Sequence, residues 1–198
     1  MTAKQEFAGL APGKLSHPLR PFSVLIRLPN ILLGPFAGLL LADYGATVLR
    51  IDRAPPIATN DRLTRRKSSI CVNLKSQRGI AFIKRLIPRV DIVIESYRPG
   101  VLEKLGLDPD NVLRKLNGRL IIARMTGFRR DGKYKEMAGH DINYIAVSGV
   151  LSLLGRRGEK PLAPGNLLGD FASGGAACFM GILLALIERD KNDKGQVV

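Results

Sequence analysis

The chain of 198 residues has no tryptophan, two cysteines, two histidines and only 17 acidic residues against 31 basic ones. Each shortage excludes something. Cys71 and Cys178 stand far apart in apolar surroundings, with no CxxC pattern and no histidine beside them. Neither a metal site nor a disulfide is therefore expected; two free, buried thiols in a reducing, intracellular setting are. No basic helix with interleaved aromatics is present, so nucleic acid is not expected as a partner. The N-terminus shows no secretory signal. The apolar stretch Phe171 to Ile187 is rich in Gly and Ala and short for a bilayer, and reads as a core helix rather than a membrane span.

What is present is a globular composition, 45% hydrophobic and 24% charged, with a net charge of +14. Such an excess implies an anionic partner or setting. The basic residues are densest at Arg62–Lys67, Arg129–Lys135 and Arg156–Lys160. Arg62, Arg65, Arg66 and Lys67 suit a solvated face as well as a phosphate clamp.

From Pro35 onward the pattern is regular. PFAGLLLADY reads as a helix stopped by Gly45, TVLRID (47–52) as a strand, and Ser69 to Leu74 as a second strand. Ser76 is placed to cap a helix reaching Ile87, with Ile80, Phe82, Ile83 and Ile87 on its apolar side. VDIVIE (90–95) is apolar enough to be buried on both faces. A short helix through Leu105, another from Asp108 to Leu116, and a fourth strand from Leu120 to Met125 follow. Strands alternating with helices imply a mostly parallel α/β sheet. A long helix is expected from Asp170 to Arg189, and Val197–Val198 read as the beginning of a further strand.

AGHDINY (138–144) carries the chemistry. His140 falls between a strand's carboxyl end and the start of a helix, where open α/β sheets place ligands. A helix N-terminus there can steady a developing oxyanion. Taken alone, His140 and Asp170 each read equally as helix-capping residues.

PFAGLLLADYGATVLRIDR, RRKSSICVNLKSQRG, IVIESYRPGVLEKLGL, RLIIARMTGF, AGHDINYIAVSGVLS, APGNLLGDFASGG and DKGQVV, together with FAGLAPG at 7–13, resemble the α-methylacyl-CoA racemases. These form a branch of the family III CoA-transferase (CaiB/BaiF) superfamily. The resemblance implies the large domain of that fold: a mostly parallel Rossmann-like sheet flanked by helices, truncated before a small domain. It implies two-base epimerisation at the carbon α to a CoA thioester, with His140 and Asp170 as the acid–base pair. No metal or redox cofactor is implied, because CoA is part of the substrate. Arg53, Cys71, Val72, Asn73, Leu74 and Arg98 correspond to the CoA-binding positions. Gly139, Asp141, Ile142, Asn143 and Tyr144 correspond to the segment around the thioester. Asn73 stands where the family usually has Asp. The expected partners are an acyl-CoA and a second copy of the chain in an interlocked dimer, in a peroxisome or mitochondrion. A CoA transferase with Asp170 as nucleophile, or an inert fragment, are the alternatives.

The resemblance divides the chain into a partial N-terminal segment (1–13), a non-family insertion resembling a retained intron (14–34), a CoA-binding domain (35–189) and the start of a continuation (190–198). The family's first strand precedes FAGLAPG, where this chain has only MTAKQ. Either the sheet lacks a strand or Val24–Ile26 fills the gap.

Overall fold

A computed structural model describes residues 22–27, 33–56 and 61–198. The segment 1–13, and most of the expected insertion, lie outside the described residues. Five strands form one sheet: β1 (Ser23–Arg27), β2 (Thr47–Arg53), β3 (Lys67–Val72), β4 (Ile92–Glu95) and β5 (Ile121–Arg124). Their order is β3-β2-β1-β4-β5 and every pairing is parallel. This is a Rossmann-like α/β arrangement, with its topological switch between β1 and β4.

The open question about the first strand is thus answered. Val24 pairs in register with Val48 on one side and Ile92 on the other, so residues 23–27 form the central strand. That part of 14–34 belongs to the sheet and does not interrupt it. A five-residue strand flanked on both sides needs little more than free backbone groups and an apolar residue facing each layer.

The helices cover both faces. One core joins α1 (Leu33–Asp43) and α6 (Ala177–Asn192) to Val24, Val48, Ile92, Ile94 and Ile121. The other joins α2 (Gln77–Leu86) and α3 (Val101–Lys104) to Ile51, Val93 and Ile122. Ser76 caps α2 as expected, its Oγ accepting the Gly79 N–H at 3.1 Å. Phe82, expected on the apolar side, is exposed, and Ile83 and Ile87 alone are fully buried there. The expected strand 69–74 runs 67–72, and Asn73 and Leu74 turn toward α2. The helix expected at 108–116 is a wide turn, Pro109–Leu113, entering the short α4 (Arg114–Leu116), with Asp108 capping it. Beyond β5 the chain reaches α5 (Asp141–Val147).

The long helix begins earlier and ends later than expected. A wide-turned segment, Leu167–Ala176, runs directly into α6. Leu167–Asn192 is long and apolar enough to cross a membrane. Here Ile182, Ala185 and Leu186 are buried against the sheet, and Arg189 is 2% exposed. Arg189 Nη1 donates to Asp91 Oδ1 at 3.1 Å and to the Arg119 carbonyl at 3.2 Å. Asp91 Oδ2 in turn accepts the Ser23 N–H at 2.8 Å, which ties α6 to the starts of β1 and β4.

Val197 bridges Ile122 in parallel, and the Val198 carbonyl accepts the Arg124 N–H at 2.8 Å. Replacing Arg189 by Leu strands Asp91 and the Arg119 carbonyl. The expected loss is about 3 kcal/mol, read as a lower urea midpoint with an unchanged denaturant slope.

Candidate active site

Because all five strands are parallel, their carboxyl ends lie along one edge. Arg53 ends β2 and is exposed, directly in register with Val72 of β3. Cys71, Val72, Asn73 and Leu74 therefore adjoin it. Val72 and Leu74 point into the core, so only backbone at those two positions is free to face a ligand. Cys71 is exposed, contrary to expectation: β3 is the outermost strand, and its side chains alternate between the core and the open face. Cys178 is half-buried, and desolvation pushes its thiol up to about 12. Arg98 is exposed in the turn that follows β4.

The loop after β5 leads to His140, which is exposed and precedes the first turn of α5. Its N–H donates to Asn143 Oδ1 at 2.9 Å, so Asn143 caps the helix and is held by it. The Tyr144 hydroxyl donates to the Gly139 carbonyl, and its ring meets Phe128 edge-on with centroids 5.1 Å apart. Gly127 allows this: a Cβ there would sit 2.1 Å from the Tyr144 ring. Ile142 is exposed.

Asp170 lies inside the Leu167–Ala176 segment and is not its cap; it is 2% exposed. Phe171 beside it packs edge-on against Phe36 of α1 at 4.9 Å, which places this segment against α1. Burial raises the Asp170 pKa above the usual carboxylate range; Asp141 raises it further, and His140 works against both. Asp170 Oδ1 is buried with no hydrogen-bond partner among the described residues.

Asp141, expected to face the ligand, is 1% exposed and turned inward. Its Oδ2 accepts the N–H groups of Gly169 at 2.5 Å and Asp170 at 2.8 Å. The structure thus brings His140, Asp141 and Tyr144 together with Asp170, and separately brings Arg53 together with Cys71–Leu74. A cavity of about 470 Å³ lies behind them, lined by Met125, Phe128, Tyr144, Gly169 and Ser173 but by neither His140 nor Asp170. Among the described residues no three His, Cys, Asp or Glu side chains gather closely enough to hold a metal ion.

Residue-level reading missed a buried ion network at the same edge. Arg124 bonds Glu95 Oε2 and Glu103 Oε1, both at 2.8 Å. Desolvation raises the Glu95 pKa in spite of Arg124. A signal was available: VDIVIE and LIIAR end on opposite charges, and Glu95 and Arg124 are register partners.

A Gly127→Ala variant should displace the Tyr144 ring. The expected cost is about 1–3 kcal/mol, measured by urea unfolding, with a changed tyrosine near-ultraviolet signal in the folded state.

Human alpha-methylacyl-CoA racemase is 48% identical over 88% of this chain, which covers 45% of that protein. Succinyl-CoA–D-citramalate CoA-transferase of Chloroflexus aurantiacus is 35% identical over 92% of this chain, covering 49% of that protein. The chain thus spans about half the length of these curated relatives. The crystal structure of a CAIB/BAIF family protein from Brucella suis superposes with a TM-score of 0.81 at 31% identity, over 91% of this chain and 52% of that one. Residues 23–198, from the central strand onward, match the sequence profile of CoA-transferase family III, and the chain belongs to that family.

Proposed function

We propose that this chain forms the CoA-binding half of a 2-methylacyl-CoA racemase, with His140 and Asp170 as its two proton-transfer groups. The observation that carries the reading is their pairing. His140 is exposed and bears electrostatically on Asp170, a buried carboxyl whose pKa is raised by that burial. The 48% identity to a racemase supports it.

In this reading the pair works from one unprotonated and one protonated group. Neutral His140 accepts the α-proton, and the C–H electron pair becomes the enolate double bond, with negative charge on the thioester oxygen. Protonated Asp170 delivers its proton to the other face of that carbon. The centre is inverted, leaving an imidazolium and a carboxylate, and the opposite epimer runs the same steps in reverse. Asp170's raised pKa suits it to hold a proton and then release it. CoA supplies the thioester and its phosphates, and no further cofactor is needed. Arg53 and Arg98, both exposed along the carboxyl edge, are the groups this reading assigns to those phosphates.

The competing reading is acyl transfer, with Asp170 attacking the thioester. The CoA transferases among the relatives favour it. α-Proton exchange in deuterated solvent separates the two. His140→Ala and Asp170→Asn should each slow exchange by roughly 10²–10⁴-fold. Hydroxylamine release of an acyl group bound to Asp170 would favour transfer instead.

The functional unit in this reading is a homodimer, in a peroxisome or mitochondrion. Met180, Leu184 and Ile187 form an exposed apolar stripe on α6 that a second copy would cover. Sedimentation should find a dimer that Leu184→Lys weakens; a monomeric parent chain would count against it.

A further inference from the structure

Asp141 has no direct part in the proton transfers, yet it is among the most buried charged residues in the chain. One Oδ2 atom accepts two consecutive backbone N–H groups from a segment 28 and 29 residues away. The recipient helix has no side-chain cap of its own: Asn166 precedes it without capping it. Asp141 therefore supplies from a distance what a local capping residue normally supplies. Gly169 is shaped to this contact, since a Cβ there would lie 3.0–3.1 Å from Asp141 Cα, Cγ and O.

We propose that Asp141 is the positioning residue of the proton-transfer pair: its carboxylate pins the backbone of Asp170 one residue away from His140, and so fixes the separation between the two groups. This rests on the racemase reading for what the pair does, but not for the contact itself. One covalent step links Asp141 to His140, and one hydrogen bond links it to Asp170. The only side-chain torsions between the pair are those of Asp141 itself.

The same contact has an electrostatic consequence. Asp141 Oδ1 and Asp170 Oδ1 are both buried without a hydrogen-bond partner among the described residues. Asp141 acts together with burial to raise the Asp170 pKa. The groups bearing on Asp170 are Asp141, His140 and the Tyr144 phenol, itself raised by burial, Asp170 and Asp141. Helix α1 packs against the same segment with one charged residue, Asp43, at its far end and paired with Arg65.

The test uses the full chain with ¹³C-labelled aspartate. Asp141→Asn keeps an oxygen that can accept both N–H groups but removes the charge. The Asp170 carboxyl should then titrate at lower pH, while the Gly169 and Asp170 amides stay protected from exchange with solvent. Gly169→Ala keeps the charge but disturbs the contact. It should lower kcat for α-proton exchange by roughly 10²-fold and leave KM for the acyl-CoA nearly unchanged. An unmoved Asp170 titration in Asp141→Asn, or wild-type kcat in Gly169→Ala, would overturn the proposal. If Asp141→Asn does not fold, the parent chain decides: Gly169 and Asp170 amides exchanging as fast as an open loop would overturn it, and slow exchange would support it. A parent chain that exchanges no α-proton ends the racemase reading, while titration and amide protection still decide whether Asp141 positions Asp170.

Discussion

The sheet is held together by the strand Ser23–Arg27. It sits between β2 and β4, so without it the sheet divides into two separate pairs, β3-β2 and β4-β5. Its first residue is also fixed from outside, because the Ser23 N–H is bound by Asp91, which in turn holds Arg189. One central strand therefore aligns every carboxyl end along a single edge and anchors the long helix that carries Asp170. A parallel sheet buried on both faces leaves few places for a polar ligand. The carboxyl edge is the place this topology leaves open.

That edge is organised by charge as well as by topology. Glu95 closes β4 and Arg124 closes β5, and each is the other's partner. A buried carboxylate with a hydrogen-bonded arginine is structural; removing either partner would strand a charge in the interior. Arg53 and Arg98 occupy the same edge but project into solvent, where they keep their charge available for an anion. The excess of positive charge is thus divided between arginines used by the fold and arginines free for a ligand.

The parts legible in the sequence are those whose cause is local. Ser76 caps the helix that follows it, and VDIVIE is a doubly buried strand because apolar residues occupy consecutive positions. His140 at the strand-to-helix junction follows from the same reasoning. The parts that were not legible depend on distant partners. The start of the Leu167–Ala176 segment is set by Asp141 on another helix, so no residue near Leu167 announces it. The exposure of Cys71 depends on β3 being outermost, and strand order is not written in β3 itself. SVLIR reads both as part of a non-family insertion and as the missing strand, because what decides between them is the pair of strands on either side. Both the racemase and the transferase readings use the aspartate, and in the motif it is His140 within GHDINY that favours the racemase.

The environment of Asp170 bears on that choice. A nucleophilic carboxylate must be ionised and must reach the thioester carbon. Here the carboxyl is 2% exposed, its pKa is raised by burial and by Asp141, and one of its oxygens has no donor among the described residues. Burial limits its reach to a thioester carbon, and the raised pKa lowers its ionised fraction. Neither weakens a group whose task is to hold one proton and exchange it with a carbon acid. The acyl-transfer reading would require the Asp141 contact to loosen before reaction, exposing Asp170 and separating it from a like charge. The racemase reading requires the contact to persist throughout. The chemistry of the site therefore turns on whether one inward-facing carboxylate stays where it is.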